Sequence, residues 1–254
     1  MEAKMLLYKK PRLKKPVLIQ GLPGIGNVGK IVVSYLIAEL NAEKIADIIS
    51  PHFPGLILID RDNVAEPLTI EIYLYKGKNR DLLLVTGETQ PITDYGQYEC
   101  CNLLIEFCEE FGISEIITIG GYGIGRQVKE PKVYGIVTSK ELIKYYKKYG
   151  ITFQEENTIG SVVGMNGLLL TFAKMKDIKG ICLLAETLGY PLLSDPKAAE
   201  QVIKIFIDMF GLSIDLGKLE EAVRDLDRFW KHLEEQTRKM QERKTVAEYS
   251  TYIG

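Results

Sequence analysis

Lys15-Pro16-Val17-Leu18-Ile19-Gln20-Gly21-Leu22-Pro23-Gly24-Ile25-Gly26-Asn27-Val28-Gly29-Lys30 is the stretch from which the fold is read. Lys15 to Gln20 is a short apolar run of strand length. Glycines then crowd the loop from Gly21 to Gly29. Val28 to Leu40 follow as a helix, with Val32, Tyr35, Leu36 and Leu40 on its apolar face. Strand, glycine turn and helix open a wound α/β sheet.

The loop matches two phosphate-binding patterns. Gly24-x-Gly26-x-x-Gly29 follows a strand and opens a helix, as a dinucleotide fingerprint does. Gly24-x-x-x-x-Gly29-Lys30 matches most of a phosphate loop. Each match breaks where the chemistry needs it. A phosphate loop places Ser or Thr after the lysine to hold magnesium, and Ile31 stands there. A dinucleotide site wants an acid about twenty residues on, at the end of the second strand. Asp60 ends the apolar run Leu56 to Ile59, but about thirty residues on. Glycines equally suit a tight turn and close helix–sheet packing, and that is the leading reading. An anion at the helix N-terminus, held by Gly24, Gly26, Asn27, Gly29 and Lys30, is the second. A dinucleotide site is the third.

Outward from the loop, strands and helices interleave. Leu68 to Tyr75 alternate apolar and polar residues, and Asp81 to Thr86 are continuously apolar but for their ends. With the turn Gly77 to Arg80 they predict a hairpin. Thr93 or Asp94 caps a helix through about Phe111, which Gly112 stops. Glu115 to Ile119 and Val133 to Thr138 are strands, and Ser139 caps a helix through Tyr149. Gly160 to Lys176 read as a helix and Gly180 to Glu186 as a strand. Ser194-Asp195-Pro196 starts a helix, with a capping side chain and then proline in the first turn. Gly211 ends it after Phe210. The expectation is a mixed, largely parallel central sheet sandwiched by helices.

From Leu216 to about Lys244 the pattern changes. Leu219, Val223, Leu226, Trp230, Leu233, Thr237 and Met240 fall at alternating spacings of four and three, a heptad seam. Such a helix either lies on its own domain or serves self-association and partner binding. The expected organisation is an α/β core over 1–214, an amphipathic helix over 215–245 and a flexible tail over 246–254.

The 254 residues are enough to bury a core without disulfides or metals. A net charge of −2 provides no basic field for nucleic acid or anionic lipid. Cys100, Cys101, Cys108 and Cys182 form no C-x-x-C pair and read as small core residues. Reduced cysteines and the lack of a signal peptide or long apolar span predict a cytoplasmic protein. Abundant Lys, Glu and Ile suit a thermophilic source.

Asp60, Glu88 and Glu186 sit at the carboxyl ends of predicted strands, where open α/β sheets bind ligands. If they converge, they could work as acid and base or hold a metal. Polar strand ends are also common, so no metal or cofactor is expected. His52 and His232 lack metal-ligand spacing and read as packing or surface residues.

Several segments together resemble the proteasome assembly chaperone 2 family. These are Gly21 to Gly29; Gly164-Met165-Asn166-Gly167-Leu168-Leu169-Leu170; and Leu183-Leu184-Ala185-Glu186-Thr187 with Asp195-Pro196-Lys197-Ala198-Ala199. The match runs in order over roughly residues 15 to 225. The resemblance implies a phosphorylase-like α/β sandwich and a chaperone without catalysis. Archaeal members are similar to factors that form homo-oligomers and help proteasome α subunits assemble or engage the α-ring. Some relatives carry an ATP-grasp-like label, but no ATP-grasp pattern is present.

Members that dock into α-ring pockets end in hydrophobic–tyrosine–any residue. Here Thr251-Tyr252-Ile253-Gly254 puts the tyrosine one place early. One added residue moves tyrosine and carboxylate apart by up to about 3.5 Å, so the sequence leaves docking in that mode open. Tyr249 and Tyr252 could make aromatic contacts in another register. Leu226, Phe229, Trp230 and Leu233 are the partner-binding candidates of the final helix. The alternative is an enzyme or sensor for a phosphate- or nucleotide-like ligand at Gly21–Lys30.

Overall fold

The structure is a computed structural model that describes residues 2–153, 159–190 and 193–228. In chain order the first elements are β1 (Lys4–Leu7), β2 (Val17–Gln20), a 3-10 turn at Ile25–Asn27, α1 (Val28–Glu39) and β3 (Glu43–Ile49). Next come β4 (Ile57–Ile59), β5 (Ala65–Pro67), β6 (Ile70–Tyr75), β7 (Leu82–Gly87) and α2 (Asp94–Glu110). Then follow β8 (Glu115–Gly123), β9 (Val133–Val137), α3 (Glu141–Lys147), α4 (Met165–Met175), β10 (Lys179–Thr187) and α5 (Pro196–Phe210).

The main sheet has the order β1-β3-β6-β7-β2-β8-β10-β9. Its centre, β7-β2-β8-β10, is parallel. β6 pairs with β7 as the expected hairpin, and the flanks β1, β3, β6 and β9 join antiparallel. The fold is therefore the expected mixed α/β sheet, with its parallel part in the middle. Position follows pattern. The central strands β2 and β7 are buried throughout, whereas β6 alternates between buried and half-buried residues.

Helices cover the sheet in pairs. α2 and α4 pack on each other, and their Leu104, Met165 and Leu169 share a core with Leu18, Leu83 and Ile116. α1 and α5 form the other pair. Two of the three caps read from the sequence are present; the third is not, because α3 begins at Glu141 with Lys140, not Ser139, at its N-cap and no side-chain cap bond. Thr93 Oγ1 accepts from Gly96 N at 3.1 Å at the start of α2. Asp195 Oδ1 accepts from Ala198 N at 3.0 Å at the start of α5, with Pro196 in the first turn. Gly211, at φ 64°, closes α5 in the left-handed region.

Several elements differ from expectation, the short β5 (Ala65–Pro67) among them. The strands β1 and β3 were not expected, and β3 occupies the place given to Leu56–Asp60 as the second strand. Leu56–Asp60 instead contributes β4, which pairs only with β5 in a separate two-stranded sheet. Asp60 thus does not end a strand of the main sheet. α4 begins at Met165 rather than Gly160, because Gly164 precedes it at φ 82°, outside helical space.

The first compact unit spans Met1–Asp215, and a second begins at Leu216. Within the second, residues 217–228 are helical, with Glu220 N bonded to Leu216 O at 2.9 Å. The rest of the expected helix and the tail lie outside the described residues. Among the described residues no helix is long and apolar enough to cross a membrane.

Cys100, Cys101, Cys108 and Cys182 are all free and buried. Burial pushes the Cys100 and Cys182 thiols up to about 11 and raises Cys101 and Cys108 as well. The thiolate is the reactive form. The native protein should therefore leave all four thiols unlabelled by an aromatic disulfide reagent at neutral pH, and release all four on denaturation. A rapidly labelled thiol in the native state would contradict this burial.

Candidate functional site

The glycine loop sits at the carboxyl ends of β2, β7, β8 and β10, where a wound sheet has its crevice. Its glycines are set by crowding. A Cβ on Gly21 would lie 2.1 Å from the Gly29 carbonyl oxygen, and one on Gly29 would lie 2.4 Å from that of Ile119. The first turn of α1 therefore rests directly on the backbones of β2 and β8. Gly121 meets the Ile25 carbonyl in the same way, at 2.2 Å. Gly26 has φ 63°, and its carbonyl accepts from Asp195 N at 2.8 Å. Asn27 Nδ2 donates to Ser194 Oγ at 3.3 Å, and Thr187 Oγ1 donates to Asp195 Oδ2 at 2.7 Å. The turn is bound to the start of α5 rather than open to a ligand on that side.

Lys30, the cation of the loop, forms an ion pair with Glu88. A cavity of about 810 Å³ opens beside the loop. Leu22, Gly24, Ile25, Tyr122, Leu184 and Val162 are among its walls, and none of its described lining side chains is charged. Its amides hold the walls. Gln90 Nε2 donates to Pro23 O at 2.6 Å while Gln90 Oε1 accepts from Met165 N at 3.1 Å. Asn166 Nδ2 donates to Ile119 O at 2.9 Å, and its Oδ1 accepts from Gln20 at 3.4 Å. Of the proposed anion ligands, Gly24 and Gly29 line this space, and Lys30 does not.

The three strand-end acids do not all meet: Asp60 and Glu88 share one hollow and Glu186 lies apart from it. Asp60 Oδ1 accepts from Asp62 N at 2.9 Å and from Val64 N at 2.8 Å, which closes the β4–β5 turn. Glu186 is buried and accepts from the Tyr134 hydroxyl at 2.9 Å and from Lys132 N at 3.0 Å. Asp60 and Glu88 border a second hollow of about 600 Å³, and Glu186 is not part of it. Among the described residues, no group of three or more His, Cys, Asp or Glu side chains is placed to hold a metal. His52 Nδ1 lies 2.8 Å from Thr93 Oγ1, beside the cap of α2.

That second hollow holds a cluster that sequence reasoning missed. Lys44 Nζ lies 2.9 Å from Asp47 Oδ1 and 2.7 Å from Glu71 Oε1. The Tyr8 hydroxyl donates to Asp47 at 2.7 Å, and that of Tyr73 donates to Glu71 at 3.1 Å. Burial alone would lower the Lys44 pKa, but hydrogen bonds to Glu71 and Asp47 outweigh it and raise it. Burial and the Glu71 charge push Tyr73 up to about 12. One cation is shared by two carboxylates on β3 and β6, with Tyr8 just beyond β1 bonded to one of them, so the cluster ties the sheet edge together. Its signal lay in polar residues on a buried strand, readable only once β3 is known to be one.

Of the partner-binding candidates, Leu226 lies half-buried on the helix at 217–228. Phe229, Trp230, Leu233, Tyr249 and Tyr252 lie outside the described residues.

Comparison with known proteins covers nearly the whole chain. A model described as the PAC2 family matches residues 18–234. An uncharacterized protein of Methanocaldococcus jannaschii is 35% identical over 95% of this chain and 93% of its own. The crystal structure of Pyrococcus furiosus PbaB, described as an archaeal proteasome activator, superposes with TM-score 0.85 at 38% identity, covering 92% of this chain and 99% of that one. Pyrococcus furiosus PbaA, described as an archaeal homologue of proteasome-assembly chaperone, gives TM-score 0.76 at 26% identity over 100% of both chains.

A packing role for the loop makes neighbouring glycines behave differently. Gly21→Ala should lower stability by about 1–3 kcal/mol, because overpacking forces backbone to move. Gly24→Ala, with nothing within 4 Å of the added atom, should stay within about 0.5 kcal/mol of the parent. Denaturant midpoints measure both, and equal midpoints would contradict the packing role.

Proposed function

The chain belongs to the PAC2 family, and from that premise we propose that it is a non-enzymatic cytoplasmic chaperone that assists proteasome α-subunit assembly through a homo-oligomeric binding surface. The observation that carries this reading is the likeness to PbaA across all of both chains. The site chemistry agrees with it. Around the glycine loop Asn166, Gln90 and Thr187 bond to β2, β8, the loop and the start of α5. Such a protein acts by presenting a complementary surface. Leu226, Phe229, Trp230 and Leu233 are the contact candidates, with Tyr249 and Tyr252 as aromatic contacts of the tail. Aromatic anchors commonly carry most of an interface's energy.

A second reading has its own observation. The likeness to PbaB, described as a proteasome activator, is stronger at 38% identity. An activator would engage the finished particle rather than its free subunits.

Mixing the purified chain with archaeal α subunits, and separately with mature proteasome, distinguishes the two. A chaperone forms a complex with α subunits at micromolar concentration and speeds ring assembly several-fold. An activator leaves assembly unchanged and raises peptide hydrolysis by the mature particle. No complex and no effect in either mixture would remove both readings. If the final helix carries the contact, Trp230→Ala should weaken binding about 30-fold, as loss of a hot-spot residue does. An unchanged affinity would move the contact elsewhere.

A further inference from the structure

The β4–β5 hairpin spends apolar side chains on solvent. Leu56 is 53% exposed, Ile57 60% and Ile59 68%. Both three-residue strands are exposed throughout. A two-stranded ribbon is marginal in water, whereas three or more strands with an apolar face are stable.

The hairpin's main chain shows which of its edges is open. β4 and β5 pair Ile57 with Pro67, Leu58 with Glu66 and Ile59 with Ala65. Asp60 N donates to Val64 O at 3.0 Å, so Asp60 and Val64 are a hydrogen-bonded pair. Antiparallel ladders alternate bonded and non-bonded pairs. Leu58 and Glu66 are then the next bonded pair. Ile57 and Ile59 therefore turn their N–H and C=O groups to the outer edge of β4. By the same alternation Pro67 faces the outer edge of β5, where it has no N–H to offer. Proline and charge are the ordinary guards of a sheet edge, and β5 has both in Glu66 and Pro67. From Gly55 to Ile59 there is no charge and no proline.

The ends of the main sheet are guarded as well. β1 begins with Lys4 and leads into Lys9 and Lys10. The outer side of β9 is taken by Thr152, through Gly135 N to Thr152 O at 2.9 Å and Thr152 N to Val133 O at 2.8 Å. Among the described residues, the unguarded edge this chain can offer to β4 is β4 itself.

We propose that β4 pairs antiparallel with β4 of a second copy, about a twofold axis at Leu58, to give a four-stranded sheet. This rests on the homo-oligomeric reading above and names its surface. The register is self-complementary. Leu58 meets Leu58 of the second copy as a non-bonded pair. Ile57 meets Ile59 as a bonded pair on each side, which uses every outward N–H and C=O of the two isoleucines. The next bonded pair sets Gly55 against Arg61, so the long side chain faces a residue without one. No like charges oppose each other within the window, and the twofold closes on itself without further growth.

Cross-linking of the full chain tests the register. In this pairing the two Leu58 Cα atoms lie about 4.5 Å apart, within disulfide reach. The two Ile57 residues become diagonal neighbours about 7–8 Å apart, beyond it. The native cysteines are buried and do not compete. Under mild oxidation Leu58→Cys should cross-link to a dimer, at least tenfold more than Ile57→Cys alone. An equal mixture of Ile57→Cys and Ile59→Cys should cross-link between the two variants. Equal cross-linking of Ile57→Cys and Leu58→Cys overturns the register. An oligomeric native mass for the parent chain, with no cross-link at Leu58→Cys, overturns this surface and leaves the homo-oligomeric reading standing. A monomeric native mass at all concentrations overturns both.

Discussion

The approach of α1 to the sheet is the constraint on which the crevice depends. The Gly29 carbonyl lies where any side chain on Gly21 would have to go, and the Ile119 carbonyl lies where one on Gly29 would go. Two glycines thus let a helix start directly on β2 and β8. That contact brings Gly26 within reach of Asp195, and so joins the first βα unit to the last helix. Thr187, at the end of β10, completes the join through Asp195. Of the glycines that look like a phosphate cradle, Gly29 is used in this packing, Gly26 binds the start of α5 and Gly24 faces the cavity, while Lys30 pairs with Glu88.

Polar chemistry in the first unit follows the same rule: it holds elements in place. Glu115 is buried at the start of β8, and its oxygens receive Arg80 at 2.7 Å and the Tyr146 hydroxyl at 2.9 Å. Asp81 receives Lys14 N at 2.8 Å and Lys76 at 2.9 Å. Buried charges of this kind are costly unless paired and bonded, and these are. Among the described residues the hairpin of β4 and β5 is the exception, since Leu56, Ile57 and Ile59 stand mostly in solvent and β4 pairs with β5 alone. A surface that carries an open strand edge is suited to binding other proteins.

How much of this was readable from sequence depended on whether the cause was local. The strand–glycine–helix start, the β6–β7 hairpin, the Thr93 and Asp195 caps and the Gly211 stop all rest on short-range chemistry. β3 was not readable, because Lys44 and Asp47 break its apolar pattern and find their partners at Tyr8, just after β1, and at Glu71 on β6. Leu56 to Ile59 erred the other way. Its apolar run looks like a core strand, and nothing in its own sequence shows that it is left outside the main sheet. The grouping of the acids was unreadable for the same reason. A carboxylate after an apolar run marks a strand end, but only the three-dimensional arrangement separates Asp60 and Glu88 from Glu186. The ion pair of Lys30 with Glu88 spans 58 residues and has no local signature.

The central claim is that this protein works through its surface while the glycine loop serves the fold. Hydrogen–deuterium exchange of the full chain measures it most directly, with α subunits or mature proteasome in one series and phosphate and nucleotides in the other. The expected result is slowed exchange on a surface segment in the first series, and unchanged exchange over Gly21 to Lys30 in the second. Slowed exchange over Gly21 to Lys30 with a nucleotide, and none anywhere with proteasome proteins, would contradict it.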